Sequence, residues 1–205
     1  LWSIFRFSLP LIAPNDVAHG QVDRWLLGEL DRLVEKTTEA MDRFQFDEVL
    51  KAIRAFAWDV LADNYIELVK ARLYGQDSPE KRAAQDTLFT ALETLARIMA
   101  PFTPFLSEEI YHTLTGKSVH EQNWPIAQNR PIDRGGLAIK EVAATLRRFK
   151  AEKGMALNSP LPGIVVYSDL DLETADLVGV ANSPVESRTG NPLLEMKPIA
   201  VKPQM

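Results

Sequence analysis

The chain has 205 residues, 46% of them hydrophobic and 25% charged, so it can bury the core of one or two globular domains. It contains no cysteine, which excludes disulfides and thiolate metal sites and makes the reducing cytoplasm the expected location. A net charge of −5 argues against indiscriminate nucleic-acid binding, and no apolar run approaches the roughly 20 residues of a membrane span.

The N-terminal part of the chain predicts two helices separated by a loop. The first is a short helix end over residues 1–8, and because the sequence opens inside it with Leu rather than Met, we expect a piece of a longer protein. Pro10, Pro14 and Gly20 indicate the loop. Asp23 is a suitable N-cap for a second helix that runs to about Phe44. Its apolar stripe is Leu26, Leu30, Leu33, Thr37 and Met41.

The longest predicted helix, the spine, extends from Phe46 to Tyr74 without glycine or proline and should pack antiparallel to its predecessor. At about 100° per residue it has three faces. The apolar face is predicted to carry Phe46, Val49, Leu50, Ile53, Phe56, Ala57, Val60, Leu61 and Leu68. The acidic, solvated face carries Asp59, Asp63, Glu67 and Lys70. The mixed face, with cations beside aromatics, carries Lys51, Arg54, Trp58, Ala62, Tyr65, Val69 and Arg72.

Two further helices follow the spine, each opened by a capping residue and a proline. Gly75 ends the spine, and Ser78-Pro79 begins a helix that runs to about Ala100. Thr103-Pro104 begins a shorter helix that ends near Gly116. Residues 117–135 then form an irregular connection whose length is typical of a domain boundary or a functional segment. We therefore predict a helical-bundle domain over residues 1–135.

Residues 136–205 are predicted to form a second unit, a basic helix followed by a small α+β subdomain. The helix spans Leu137–Lys153, and residues 136–153 carry five basic against two acidic side chains. A strand over Gly163–Tyr167, a short helix over Leu172–Leu177 and a half-buried strand over Leu194–Val201 follow. The predicted fold class is thus mainly α, with a small α+β unit that leans on the bundle because it is too small to be stable alone.

The search for catalytic motifs finds almost nothing. The sequence has no Gly-x-Ser-x-Gly elbow, no phosphate-binding Gly-x-x-x-x-Gly-Lys loop and no Gly-x-Gly-x-x-Gly. Glu109 and His112 form a Glu-x-x-His pair, but di-iron sites in helical bundles need a second copy on another helix. An enzyme with an unrecognised metal site remains an alternative at this point.

Several segments nevertheless resemble a known family. ALETLARIMAPFTPFLSEEIYHTL and SVHEQNWP are similar to the signature of the anticodon-binding bundle in class I aminoacyl-tRNA synthetases for valine, isoleucine, leucine and methionine. LWSIFRF and DRWLLGELDRL resemble the segments that open this bundle, although Ser3 stands where the family usually has asparagine. FAWDVLADNYIELVKARLYG and LRRFKAEKGMALNSPL are most similar to the valyl branch in its archaeal form.

The resemblance implies a function carried out with other domains. It implies that tRNA, in the valyl case tRNA(Val), is the partner, and that catalytic and editing domains lie upstream in the same chain. ATP and Mg²⁺ would act there, because both nucleotide-binding signatures of the class are absent, and this fragment would hold no cofactor and no catalytic residue. The isoleucyl, leucyl and methionyl enzymes remain alternatives, and a helical protein–protein scaffold is the alternative of another class.

The predicted RNA-binding residues are cations and one aromatic side chain, because single-stranded RNA is held by phosphate contacts and by stacking of its bases. We expect Arg54 or Trp58 to contact a base and the remaining cations to contact phosphates. Four further aromatic side chains, Phe102, Phe105, Tyr111 and Trp124, are expected to pack in the core. The complete predicted set is Arg6, Lys51, Arg54, Trp58, Arg147, Arg148, Lys150 and Lys153.

Overall fold

The structure, a computed structural model, describes residues 2–191 and 193–196. The bundle contains α1 (Trp2–Ser8), α2 (Gln21–Asp42), α3 (Phe46–Ala55), a π segment (Phe56–Ile66), α4 (Glu67–Tyr74), α5 (Pro79–Met99) and α6 (Pro104–Thr115). Then come α7 (Arg134–Glu152), β1 (Ile164–Ser168), α8 (Ala175–Ala181), β2 (Val185–Thr189) and β3 (Leu193–Met196). Single 3-10 turns occupy Leu9–Leu11 and Val119–Glu121. The mainly α fold class is confirmed.

Helix α2 lies at the centre of the bundle and packs against α3, α5 and α7. The predicted stripe from Leu26 to Thr37 is buried. The predicted N-cap is wrong, since Gly20 occupies that position and Asp23 lies in the first turn, where its carboxylate accepts a hydrogen bond from the Gly20 N–H at 3.1 Å. Asp23 is itself completely buried, so its role extends beyond the cap.

The spine is helical from Phe46 to Tyr74, as predicted, but its middle third is a π-helix. Because hydrogen bonds from residue i to i+5 widen each turn, the chain advances by fewer degrees per residue and the predicted faces do not continue through it. The mixed face is therefore exposed at Arg54 and Trp58 but buried at Tyr65 and Val69. On the face predicted to be core, Phe46 is in fact exposed.

Unlike the predicted N-cap of α2, the boundaries predicted at Gly75, Ser78 and Gly116 are confirmed. Gly75 ends the spine, and the Ser78 hydroxyl accepts a hydrogen bond from the Lys81 N–H at 3.2 Å, directly before Pro79. Gly116 ends α6 with φ of 72°, in the left-handed region that glycine enters without strain. These signals operate within a few residues, so the rest of the fold does not override them.

The connection over residues 117–135 lies against α2 rather than away from the bundle. The buried Asp31 carboxylate accepts hydrogen bonds from the N–H groups of Gln128 (3.1 Å) and Arg130 (2.8 Å). It also forms an ion pair with the Arg130 guanidinium at 2.7 Å. Beyond the connection, α7 packs so closely on α2 that a Cβ at Gly136 would collide with the Gln21 carbonyl oxygen. The division into domains at residue 135 stays a prediction.

The tail forms a three-stranded sheet in the order β2-β1-β3. β1 runs parallel to β2, with α8 between them in sequence, and antiparallel to β3. The short helix begins and ends later than predicted, and β2 was not predicted because its sequence VESRT is mostly polar. Residues 197–201 of the last predicted strand lie outside the described residues.

A buried group of charged side chains joins the tail to the bundle. We call it the Arg72 cluster, and it consists of Asp23, Tyr65, Arg72 and Asp176. The Arg72 guanidinium forms two hydrogen bonds of 3.0 Å to the Asp23 carboxylate and an ion pair of 2.8 Å with Asp176 of α8. The Tyr65 hydroxyl donates to Asp23 at 2.6 Å. One guanidinium thus connects α2, α4 and the tail.

Burial is the largest influence on the pKa values of Asp176, Arg72 and Tyr65 in this cluster. Burial, followed by the negative charge of Asp23, raises the pKa of Asp176 to about 6, against the pull of Arg72. Burial alone would lower the pKa of Arg72, but the Asp23 and Asp176 carboxylates outweigh it and raise that pKa. Burial and Asp23 also raise the pKa of the Tyr65 hydroxyl well above its ordinary value. Arg72 and Tyr65 therefore keep their protons at neutral pH.

Removing the tail from Gly154 onward is expected to leave residues 1–153 folded, because the long helices bury most of the apolar surface and Arg72 keeps its pair with Asp23. Circular dichroism should show helical signal and a cooperative thermal transition. Residues 154–205 alone, whose sheet has only three strands, should show no cooperative transition. A cooperative melt of that isolated tail would contradict this prediction.

Candidate nucleic-acid interface

The exposed half of the mixed face presents a cation beside a large aromatic ring. Arg54 lies in the last turn of α3, is exposed and has no ion pair or hydrogen bond from its side chain to any described residue. Trp58 follows four residues later in the π segment and is 57% exposed, which is high for a side chain of this size. A guanidinium and an indole at this spacing could both contact an unstacked nucleobase.

Lys51 is exposed one turn earlier in α3, but it already has partners. Its ammonium lies 2.9 Å from Glu48 and 3.1 Å from Asp47, and these two carboxylates, Glu48 first, raise the pKa of Lys51. Ion pairs between exposed side chains contribute little free energy. Lys51 can therefore exchange its carboxylate partners for a phosphate, while the two acids limit the gain.

The cations of the predicted basic stretch, on and just after α7, are of two kinds: some are exposed, and others are bonded to neighbouring parts of the chain. Arg148 and Lys153 are exposed, with the Lys153 ammonium 6.0 Å from the centre of the Phe149 ring. Lys150 has no exposed surface, and its ammonium donates to the carbonyl oxygens of Leu157 (2.7 Å) and Val180 (2.8 Å). Burial lowers the pKa of Lys150. A phosphate cannot reach this ammonium in the folded chain, so Lys150 is left out of the proposed RNA contacts.

Arg147 is only partly exposed and contacts the π segment. Its guanidinium donates to the Asp63 carbonyl oxygen and, at 2.6 Å, to the Asn64 side-chain oxygen. Burial lowers the pKa of Arg147 despite the nearby carboxylates of Glu67 and Asp63. These contacts join α7 to the π segment, which indicates a positioning role in the fold.

A groove of about 610 Å³ lies between α1, the π segment and α7, beside Arg147. Its walls are mainly apolar side chains, including Ile4, Phe7, Ile66 and Leu157. Arg6 is exposed on α1, the helix that forms one side of this groove. Residues of α1 and α7 therefore line the same groove. Arg54 and Trp58 do not line it and lie nearer the N-terminal end of the spine.

Three exposed phenylalanines were not recognised as surface residues from the sequence. Phe44 is 79% exposed, Phe46 is 46% exposed and Phe105 is 90% exposed. The expectation that Phe105 packs in the core is wrong, because this side chain, in the first turn of α6, is exposed to solvent. Tyr111 is buried, and the Trp124 indole packs on the core while its N–H donates to the Thr38 hydroxyl at 2.8 Å, as expected of core aromatics.

Among residues 2–191 and 193–196, no group of three or more His, Cys, Asp or Glu side chains is placed to hold a metal ion. Over the same ranges, no helix has both the length and the apolar character needed to cross a membrane.

Comparison with known proteins identifies the family of this bundle. The pattern of the family described as the anticodon-binding domain of tRNA ligase matches residues 23–165, from the first turn of α2 to β1. The chain belongs to this family. The matched residues include the spine with Arg54 and Trp58, and all of α7. The exposed cations of the mixed face and of α7 are thus part of an anticodon-binding domain.

Similar proteins carry a more specific name. A valine–tRNA ligase of Methanothrix thermoacetophila is 58% identical over all 205 residues, which correspond to 24% of that protein. Valine–tRNA ligases of Methanosarcina barkeri and Archaeoglobus fulgidus are 46% and 42% identical, over 100% and 99% of this chain and 25% of each relative. The chain therefore spans about a quarter of the length of these relatives.

Proposed function

We propose that this chain is the part of a cytoplasmic valine–tRNA ligase that recognises the anticodon stem-loop of tRNA(Val). The remaining domains of the ligase attach valine to the tRNA, and ATP and Mg²⁺ act there. The supporting observation is the family match over residues 23–165 together with the three relatives described above, which are named valine–tRNA ligases. This agreement favours valine over isoleucine, leucine and methionine, and tRNA binding over a protein scaffold.

Within this proposal the exposed side chains divide into two roles. Arg54 and Trp58 contact an anticodon base, because a planar cation and an indole beside each other suit a splayed base. Arg6, Lys51, Arg148 and Lys153 contact phosphates, since each is exposed and charged. Arg147 holds the π segment that presents Trp58, so it acts on RNA through the fold.

The phosphate contacts predict a change in salt dependence. Replacing both Arg148 and Lys153 with alanine should weaken tRNA binding whatever the anticodon. The slope of log affinity against log salt concentration should flatten by about 0.7 for each lost single-strand contact. Filter-binding titrations at several salt concentrations measure both quantities. A matched control, Lys36→Ala with Lys117→Ala, removes two exposed cations from other surfaces and should change neither the slope nor the affinity.

The base contact predicts a change in specificity instead. Arg54→Ala should weaken binding of tRNA(Val) by about 1–3 kcal/mol and should reduce the preference for it over an anticodon-swapped tRNA. The same titrations, made with both tRNAs, measure the difference. Equal losses on the two tRNAs would reduce Arg54 to a phosphate contact. Absence of a salt-dependent complex between the wild-type chain and any tRNA would favour the scaffold over the anticodon-binding role.

A further inference from the structure

One end of the bundle carries an exposed aromatic surface that the tRNA-binding role does not use. We call it the phenylalanine surface, and it consists of Phe44, Phe46 and Phe105. The Phe44 and Phe46 rings meet edge to face at 6.1 Å between the end of α2 and the start of α3. The centre of the Phe46 ring lies 6.2 Å from the centre of the Phe102 ring, in the turn between α5 and α6. Phe105 lies three residues after Phe102, in the first turn of α6.

The backbone at Phe44 makes this surface unusual. Phe44 has φ of 58°, in the left-handed region that bulky side chains rarely adopt and that glycine or asparagine commonly occupies after a helix. The conformation costs free energy, yet the side chain is 79% exposed and recovers little of it through burial. A strained backbone that carries an exposed aromatic side chain points to contact with another molecule rather than to stabilisation of the fold.

The charges around the phenylalanine surface are predominantly negative. Between residues 39 and 51 the chain has four acidic side chains, Glu39, Asp42, Asp47 and Glu48, and two basic ones, Arg43 and Lys51. Both bases are already in ion pairs, Arg43 with Glu39 at 2.6 Å and Lys51 with Asp47 and Glu48. Such a rim, with an excess of carboxylates, attracts cationic groups.

We propose that the phenylalanine surface docks another protein, through a segment that combines apolar side chains with lysine or arginine. The apolar side chains cover the three rings, and the basic side chains pair with the surrounding carboxylates. Aromatic residues at the centre of an acidic rim match the usual anatomy of a protein interface, an apolar core with a polar edge. The proposed base contacts Arg54 and Trp58 lie further along the spine than Phe46, and the proposed phosphate contacts of α7 lie on another helix, whereas Lys51 borders both surfaces.

The test uses a synthetic amphipathic peptide of about 14 residues built from leucine and lysine, with a leucine–glutamate peptide as its acidic counterpart. Fluorescence anisotropy with the labelled peptides measures binding to the whole chain. We expect the leucine–lysine peptide to bind and the leucine–glutamate peptide not to bind. Phe44→Asn and Phe105→Ser should each weaken binding at least about tenfold, as for central interface residues.

Two controls keep the outcome interpretable. Tyr74→Ser removes another largely exposed aromatic ring, at the far end of the spine, and should leave peptide binding unchanged. Phe44→Asn should not lower the melting temperature, because asparagine adopts the left-handed conformation readily, so lost binding would not reflect unfolding.

Several results would overturn the proposal. Equal binding of both peptides, or wild-type binding by the two phenylalanine variants, would show that the surface recognises no basic segment. A loss of tRNA affinity in Phe44→Asn would make it a nucleic-acid surface. Concentration-dependent dimers in sedimentation that disappear in Phe105→Ser would make it a contact between copies of this chain.

Discussion

Replacing Asp23 with asparagine is expected to destabilise the chain by about 3–5 kcal/mol, the usual cost of removing one partner from a buried ion pair. The substitution removes the carboxylate that accepts two hydrogen bonds from the buried, charged Arg72 guanidinium. It also removes the charged acceptor of the hydrogen bond from the Tyr65 hydroxyl. Urea denaturation followed by circular dichroism measures the change in the free energy of unfolding.

The matched control is Asp59→Asn, which removes an exposed carboxylate from the π segment. That variant should differ from the wild type by no more than about 0.5 kcal/mol, as is typical of surface substitutions. If Asp23→Asn and Asp59→Asn had similar small effects, the Arg72 cluster would not stabilise the fold as its geometry indicates.

The second large effect concerns Asp176 and the pH. Its pKa is raised from 3.8 to about 6 in the folded chain, mainly by burial, so the folded chain binds this proton more tightly than the unfolded chain does. Protonation of Asp176 therefore stabilises the fold as the pH falls from 7, and this stabilisation is lost as the pH rises through about 6. Integrated between pH 7 and pH 4, the difference between the two pKa values corresponds to about 2 kcal/mol of stability.

Urea denaturation at pH 7, 6 and 5 tests this effect in the wild type and in Asp176→Asn. The wild type should gain stability relative to the variant as the pH falls, because asparagine cannot take up the proton. Carboxylates such as Asp31, whose pKa is lowered by Arg130 and by the Gln128 N–H against the opposing effect of burial, lose their contribution only at lower pH. Parallel stability curves for the two proteins would contradict the prediction.

The long helices and several of their ends could be predicted from the sequence, whereas the N-cap of α2 and the faces on which some side chains lie could not. Ser78 and Gly116 act on the backbone within one turn, so their effect is visible locally. The π segment changes the angular spacing of the spine, and its bonds from residue i to i+5 leave no signature in the apolar pattern. Arg72 consequently seemed to share a face with Arg54, although it lies in a buried cluster.

Burial of cations depends on contacts between distant parts of the chain. Lys150 belongs to a basic run in the sequence, but its position on α7 continues the buried positions Ile139, Ala143 and Leu146. The carbonyl oxygen of Val180 reaches it from α8, 30 residues later. Only the tertiary arrangement of the tail could reveal this. Arg54, Trp58, Arg148 and Lys153 are exposed, and their contact with RNA stays a prediction.

The attachment of residues 117–135 to Asp31 has a consequence for hydrogen exchange. Amides in irregular connections normally open to water readily, and their protons exchange quickly. The N–H groups of Gln128 and Arg130 are instead bonded to one buried carboxylate on the central helix, so they can exchange only when the loop detaches from α2. This part of the connection therefore opens only when its contacts with Asp31 break, and in kinetic terms it behaves as a structural element rather than as a linker.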